Sequence, residues 1–105
     1  MFSTALGELE RRDDDFKLGR ALDEAAEAPL RIADACVDVT VLASALASRG
    51  AAELQPDARA AAALAAGAAR AAAVLVEANL AVASDDDRVR RAHKLAEEAA
   101  SAADA

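Results

Sequence analysis

The stretch "AAEAPLRIADACVDVTVLASALASRG", residues Ala25 to Gly50, sets a proline inside what otherwise reads as one long helix. Either Pro29 separates two helices, or one helix runs through it. Phase decides. The polar positions from Lys17 onward are Lys17, Arg20, Glu24, Glu27, Arg31, Asp34 and Asp38, at steps of 3, 4, 3, 4, 3 and 4. That is a single helical stripe with no slip at the proline. The opposite stripe, Leu18, Leu22, Ala25, Pro29, Ile32/Ala33, Cys36 and Thr40, keeps the same register. Two helices joined by a turn have no reason to share phase. Pro29 removes one backbone donor and crowds the carbonyl of Ala25, a cost of about 3 kcal/mol in a helix interior. The pairs Arg20–Glu24 and Glu27–Arg31 straddle it, each offsetting about a few tenths of a kcal/mol. The pattern predicts one kinked helix over about 16–49, stopped by Gly50.

The second half of that helix carries no charge on any face from Val39 to Ser48, "VTVLASALAS". A surface helix keeps one polar side, so this segment is expected to be covered all round, by the chain or by a second copy. Downstream, Pro56 suits a first helical turn and opens an alanine-rich central helix over about 56–83. Past its first turn only Arg59, Arg70 and Glu77 are charged, on one narrow face. Ser84 is the expected cap of a last helix over about 85–103, with Asp85–Asp87 laying negative charge on its positive end. Residues 1–15 are expected to hold a short helix around Thr4–Arg12 or to fray. The fold class is therefore all-α, an antiparallel helical bundle forming a single domain over 1–105.

Composition argues for a second copy. Of 105 residues about a third are alanine, and Phe2 and Phe16 are the only aromatics. Alanine favours helix but adds little apolar area, so a lone chain would have a thin core, and homo-oligomerisation, with a dimer as the simplest form, completes it. A net charge of −7 with acidic runs at Asp13–Asp15 and Asp85–Asp87 opposes nucleic acid and anionic membrane surfaces. Cys36 stands alone, offering neither a disulfide framework nor a metal cluster. The N-terminus lacks a signal-peptide layout. The apolar run 60–83 is mostly alanine and is interrupted by Arg70 and Glu77, so it reads as a bundle helix and not as a membrane span. A cytoplasmic location is the expectation.

Few side chains suggest chemistry. Asn79 falls on the central helix's apolar stripe and reads as a core amide bonded to a neighbouring helix, or else as a ligand contact. Thr40 is expected to bond the carbonyl four residues back, and Cys36 to be a small buried apolar group. His93 is expected on the surface, paired to Glu97. Arg70, with Glu77, is a guanidinium on a dry helix that either pairs across the bundle or meets an anion. No Gly-rich phosphate loop, Ser/His/Asp set or paired-His motif is present.

The segment from "AAEAPLRIADACVDVTVLASALASRG" through "LQPDARAAAALAAGAARAAAVLVEANL" resembles the formiminotransferase-cyclodeaminase/methenyltetrahydrofolate cyclohydrolase family of helical folate enzymes. A family stretch like "A-T-E-V-P-L-x-I-A" is matched by Glu27, Pro29, Leu30, Ile32 and Ala33. Pro56-Asp57 stands where the family has "S-D", and Asn79-Leu80 match the end of its "N-V-R-I-N-L". The first Asn and the Arg of that motif correspond to Leu75 and Glu77. The Gly/Ser-rich "S-G-G-G-S" of the family's N-terminal half has no counterpart, so the chain resembles the C-terminal half of that fold, over roughly 16–105. The resemblance implies three functions. The first is a non-catalytic helical oligomerisation module. The second is a tetrahydrofolate-dependent cyclodeaminase or cyclohydrolase, with Asp57, Arg70, Glu77 and Asn79 around a pocket at the subunit interface. The third is a small subunit completed by a partner chain that supplies the missing half. Loss of the glycines and the Arg→Glu exchange at Glu77 favour the first.

Overall fold

Helix begins almost at the N-terminus of the computed structural model, which describes residues 2–80 and 86–105. α1 (Phe2–Ala25) and α2 (Glu27–Arg49) are separated by Ala26 alone. Ala26 itself is right-handed helical, with φ −73° and ψ −22°. Its amide donates to the Leu22 carbonyl at 3.2 Å, and its carbonyl accepts from the Leu30 amide at 3.2 Å. The helix therefore runs through the proline as the phase requires. At about 1.5 Å per residue the rod over 2–49 is roughly 72 Å long, close to the molecule's longest dimension of 76 Å. The kink is slight. The first fifteen residues, expected to form a short or frayed helix, instead continue the same rod from Phe2.

After α2 the chain turns at Gly50, whose amide bonds the Leu46 carbonyl at 2.7 Å. Gly50 is not in the left-handed conformation usual for a helix-ending glycine; its φ is −77° and its ψ 175°. The requirement here is room, because a Cβ at Gly50 would lie 2.5 Å from the Leu46 carbonyl oxygen. A 3₁₀ turn, Ala52–Leu54, leads into α3 (Gln55–Asn79), with Pro56 in its first turn. α3 ends at Asn79, short of the expected 83. Ser84, the expected cap of the last helix, lies outside the described residues. α4 (Asp87–Asp104) is capped by Asp86, whose side chain accepts from the Arg88 amide.

α2, α3 and α4 pack as an up-down-up bundle, with α1 projecting beyond it. The core is made of small residues. Ala26, Ala73, Val76, Leu80 and Ala92 form one buried cluster and Ala33, Ala72 and Leu95 another, with Leu30 touching both. Thr40, fully buried, donates to the Cys36 carbonyl at 2.7 Å, as expected. Cys36 is half-buried. Ser44 donates to the Ala102 carbonyl at 2.6 Å and ties the far ends of α2 and α4 together. The span Ala52–Asn79 is long and apolar enough to cross a membrane by length and composition, with a mean hydropathy of 1.5. In this fold it is the helix on which both others pack, and Ala58, Ala62, Ala65, Ala69, Ala72, Ala73 and Val76 are its buried residues.

Charged side chains fix the joint between α1 and α2. Arg88, in the first turn of α4, bonds Asp86 through Nε at 3.1 Å and Nη2 at 2.8 Å. Its Nη1 reaches Glu27 Oε1 and the Asp23 carbonyl, each at 3.2 Å, and its Nη2 pairs with the Asp23 carboxylate. Asp23 belongs to α1 and Glu27 to α2, so one guanidinium holds both sides of Ala26 against α4. The expected pair Arg20–Glu24 forms at 3.8 Å. Glu27 does not take Arg31 as expected, because the nearer partner is Arg88 from across the bundle.

Candidate polar trough between α3 and α4

The central helix presents its charged face to one side of α4. Between them lies an open trough of about 450 Å³, lined by small side chains (Ala66, Gly67, Ala73, Ala96) with Arg70, His93 and Glu97 at its walls. Arg70 is exposed and takes no part in the ion pairs among the described residues, so the expected pairing across the bundle is not seen. His93 Nε2 lies 3.1 Å from Glu77 Oε2. Glu77 therefore replaces Glu97, the expected partner on His93's own helix, and its carboxylate links α3 to α4.

Of the four candidate residues, the structure places Arg70 and Glu77 on this side and leaves the other two elsewhere. Asp57 is exposed in the first turn of α3, thirteen residues before Arg70, or roughly 20 Å along the axis. Asn79, half-buried at the other end, turns to the rod, where its Nδ2 donates to the Ala25 carbonyl at 3.4 Å. That carbonyl is the one whose partner Pro29 removed, being four residues before it. The bond is long, and it is the interhelical role expected of a core amide. The His93–Glu77 contact could not be read from either helix alone, since it depends on how α3 and α4 are set against each other.

The strongest electrostatic perturbation lies at the Arg88 cluster. The Arg88 side chain, and then its backbone amide, hold the Asp86 carboxyl down at about 2. Arg88 is itself raised, first by Asp86 and then by Asp23. These are structural pairings. No group of three or more His, Cys, Asp or Glu side chains suited to a metal ion occurs among the described residues.

An all-α three-helix bundle with a projecting helical arm, and a proline bridged by an asparagine amide, is the class of structure defined so far. The chain belongs to the formiminotransferase-cyclodeaminase family, whose model matches residues 6–98. The match takes in most of α1, all of α2 and α3, and two thirds of α4. No curated protein and no solved structure matches the chain.

Proposed function

We propose that this chain is a non-catalytic member of its family that serves as a helical oligomerisation module, acting through copies of itself in the cytoplasm, without nucleic acid or membrane. The observation that carries this reading is the uncharged segment of α2, where Val39, Val41, Leu42 and Leu46 are at least half exposed on the single chain. Exposed apolar side chains on this scale mark a surface that another protein covers. Two of the four candidate ligand-binding side chains are engaged in holding the fold, Asn79 on the Ala25 carbonyl and Glu77 on His93. Sedimentation equilibrium at micromolar concentration tests the reading. A mass of two or more chains is expected, and a folded monomer would overturn it.

A second reading has one observation in its favour. Arg70, His93 and Glu97 wall a trough large enough for part of a tetrahydrofolate derivative, which would make the chain a one-carbon enzyme or, with a partner chain supplying the absent half, a subunit of one. Calorimetric titration with 5-formyltetrahydrofolate separates the two. No heat from folded protein is expected. Saturable micromolar binding lost in Arg70→Ala would favour the enzyme.

A further inference from the structure

On the face of the rod turned away from α4, one apolar line runs without a break. Leu18, Ala21, Ala25, Ala28, Ile32, Ala35, Val39, Leu42 and Leu46 follow at steps of 3, 4, 3, 4, 3, 4, 3 and 4, and every one is exposed. This is the heptad spacing of a coiled-coil seam, and no helix among the described residues covers it. The contacts of α2 with α4, Asp34 to Arg91 and Ser44 to Ala102, fall on the other side of the rod. α3 has a matching exposed line on its own side away from α4: Ala61, Leu64, Ala68, Ala71, Leu75 and Ala78. The two lines flank the open side of the α2–α3 pair.

The line on the rod is graded. Its N-terminal half has alanine at 21, 25 and 28, and its C-terminal half has Val39, Leu42 and Leu46. A parallel partner would set alanine on alanine and leucine on leucine, leaving one end thin. An antiparallel partner sets large on small throughout, the alternation that fills a core without voids.

We propose that a second copy of this chain docks antiparallel on this seam. The layers pair Ala21 with Leu46, Ala25 with Leu42, Ala28 with Val39 and Ile32 with Ala35, each from opposite copies. Charge fixes the register. Arg31 and Asp38, exposed beside the seam, make no ion pair among the described residues, and this register sets Arg31 of each copy against Asp38 of the other. Sliding one copy by a heptad to bring Leu18 into the seam would instead oppose Arg31 to Arg31 and Glu24 to Asp38. Because Ala33 packs on Ala72, the same two-fold axis carries Leu75 of α3 over Ala68 of the second copy. The result is a four-helix layer of two α2 and two α3 helices, with α4 on each outer side. A seam of roughly 38 Å by the width of two helices covers about 700 Å² per copy, close to what a stable interface buries on each partner.

The inference rests on the assembly reading and is tested apart from it, by the dimer dissociation constant from sedimentation velocity. Leu42→Glu, at a position that is 64% exposed in the single chain, is expected to give folded monomer by circular dichroism. Arg31→Asp and Asp38→Arg each turn two attractive pairs into repulsive ones and are expected to weaken the dimer about tenfold. The double exchange is expected to restore it. A wild-type monomer overturns both readings. A wild-type dimer that survives Leu42→Glu, or one that the charge exchanges weaken without mutual rescue, overturns the seam or its register and leaves the assembly reading standing.

Discussion

Asn79 shows how one residue connects sequence to fold. Pro29 leaves the Ala25 carbonyl without its usual helical partner, and the Asn79 side chain on α3 occupies that place at 3.4 Å. Ala25 is exposed, so water can meet its carbonyl, and the bond is worth at most the net of an ordinary hydrogen bond, about 0.5–1.5 kcal/mol. Asn79→Ala is expected to destabilise the fold by about 1 kcal/mol in urea denaturation. In a Pro29→Ala background the amide of residue 29 can bond Ala25 directly, so the same change should cost markedly less. Equal cost in both backgrounds would mean that Asn79 acts elsewhere, in the trough or on a ligand. Asn79 was legible as an interhelical amide from its place on the apolar stripe of the central helix. Its acceptor was not legible, because that depends on the meeting of the end of α3 with the joint before the proline.

At the scale of elements, the sequence carried the helices better than their pairings. The unbroken step of 3 and 4 through Pro29 carries one rod across Ala26, and Pro56 marks the start of α3. The ends and partners were less legible. α1 reaches back to Phe2 although its apolar residues before Leu18 form no continuous face, and Glu27 and His93 both leave the partners on their own helices for closer ones on a neighbour. A helix sequence records what lies three and four residues away, not what packing brings alongside.

The Arg88 cluster is the clearest case, since its partners lie on α1, on α2 and at the N-cap of α4. Asp86, at about 2 against an ordinary 3.8, is a lowered carboxyl. It contributes stability that is present above pH 4 and is lost as pH falls through about 2. Holding the α1–α2 joint against α4 should therefore weaken across that window in a thermal-melt series. Arg88→Met, which removes the guanidinium at every pH, is expected to lower the melting temperature at pH 7 and to flatten the acid dependence. An unchanged acid dependence would place the titrating group elsewhere.

At the scale of the molecule, shape is the unusual quantity. The radius of gyration is 19.8 Å, where a compact chain of this length would have about 13 Å. The excess comes from the α1 arm, which projects past the bundle and, before Asp23, bears no buried side chain among the described residues. Thin alanine packing within the chain and a long uncovered seam along it are two sides of one composition. Small residues let α2, α3 and α4 approach closely, and the larger apolar groups that would fill a bigger core are spent on the outward line. Antiparallel docking about an axis near Ala33 sends the two arms in opposite directions, and the assembly then spans roughly 95 Å at 1.5 Å per residue. Parallel docking would keep the arms together and the length near the 76 Å of one chain. Small-angle scattering on the dimer distinguishes them. A maximum dimension close to that of the single chain, at twice its mass, would reverse the orientation argued from the grading of the seam. A dimension near the longer value would show that the alanine half of one rod lies on the leucine half of the other, with both arms left free at the ends.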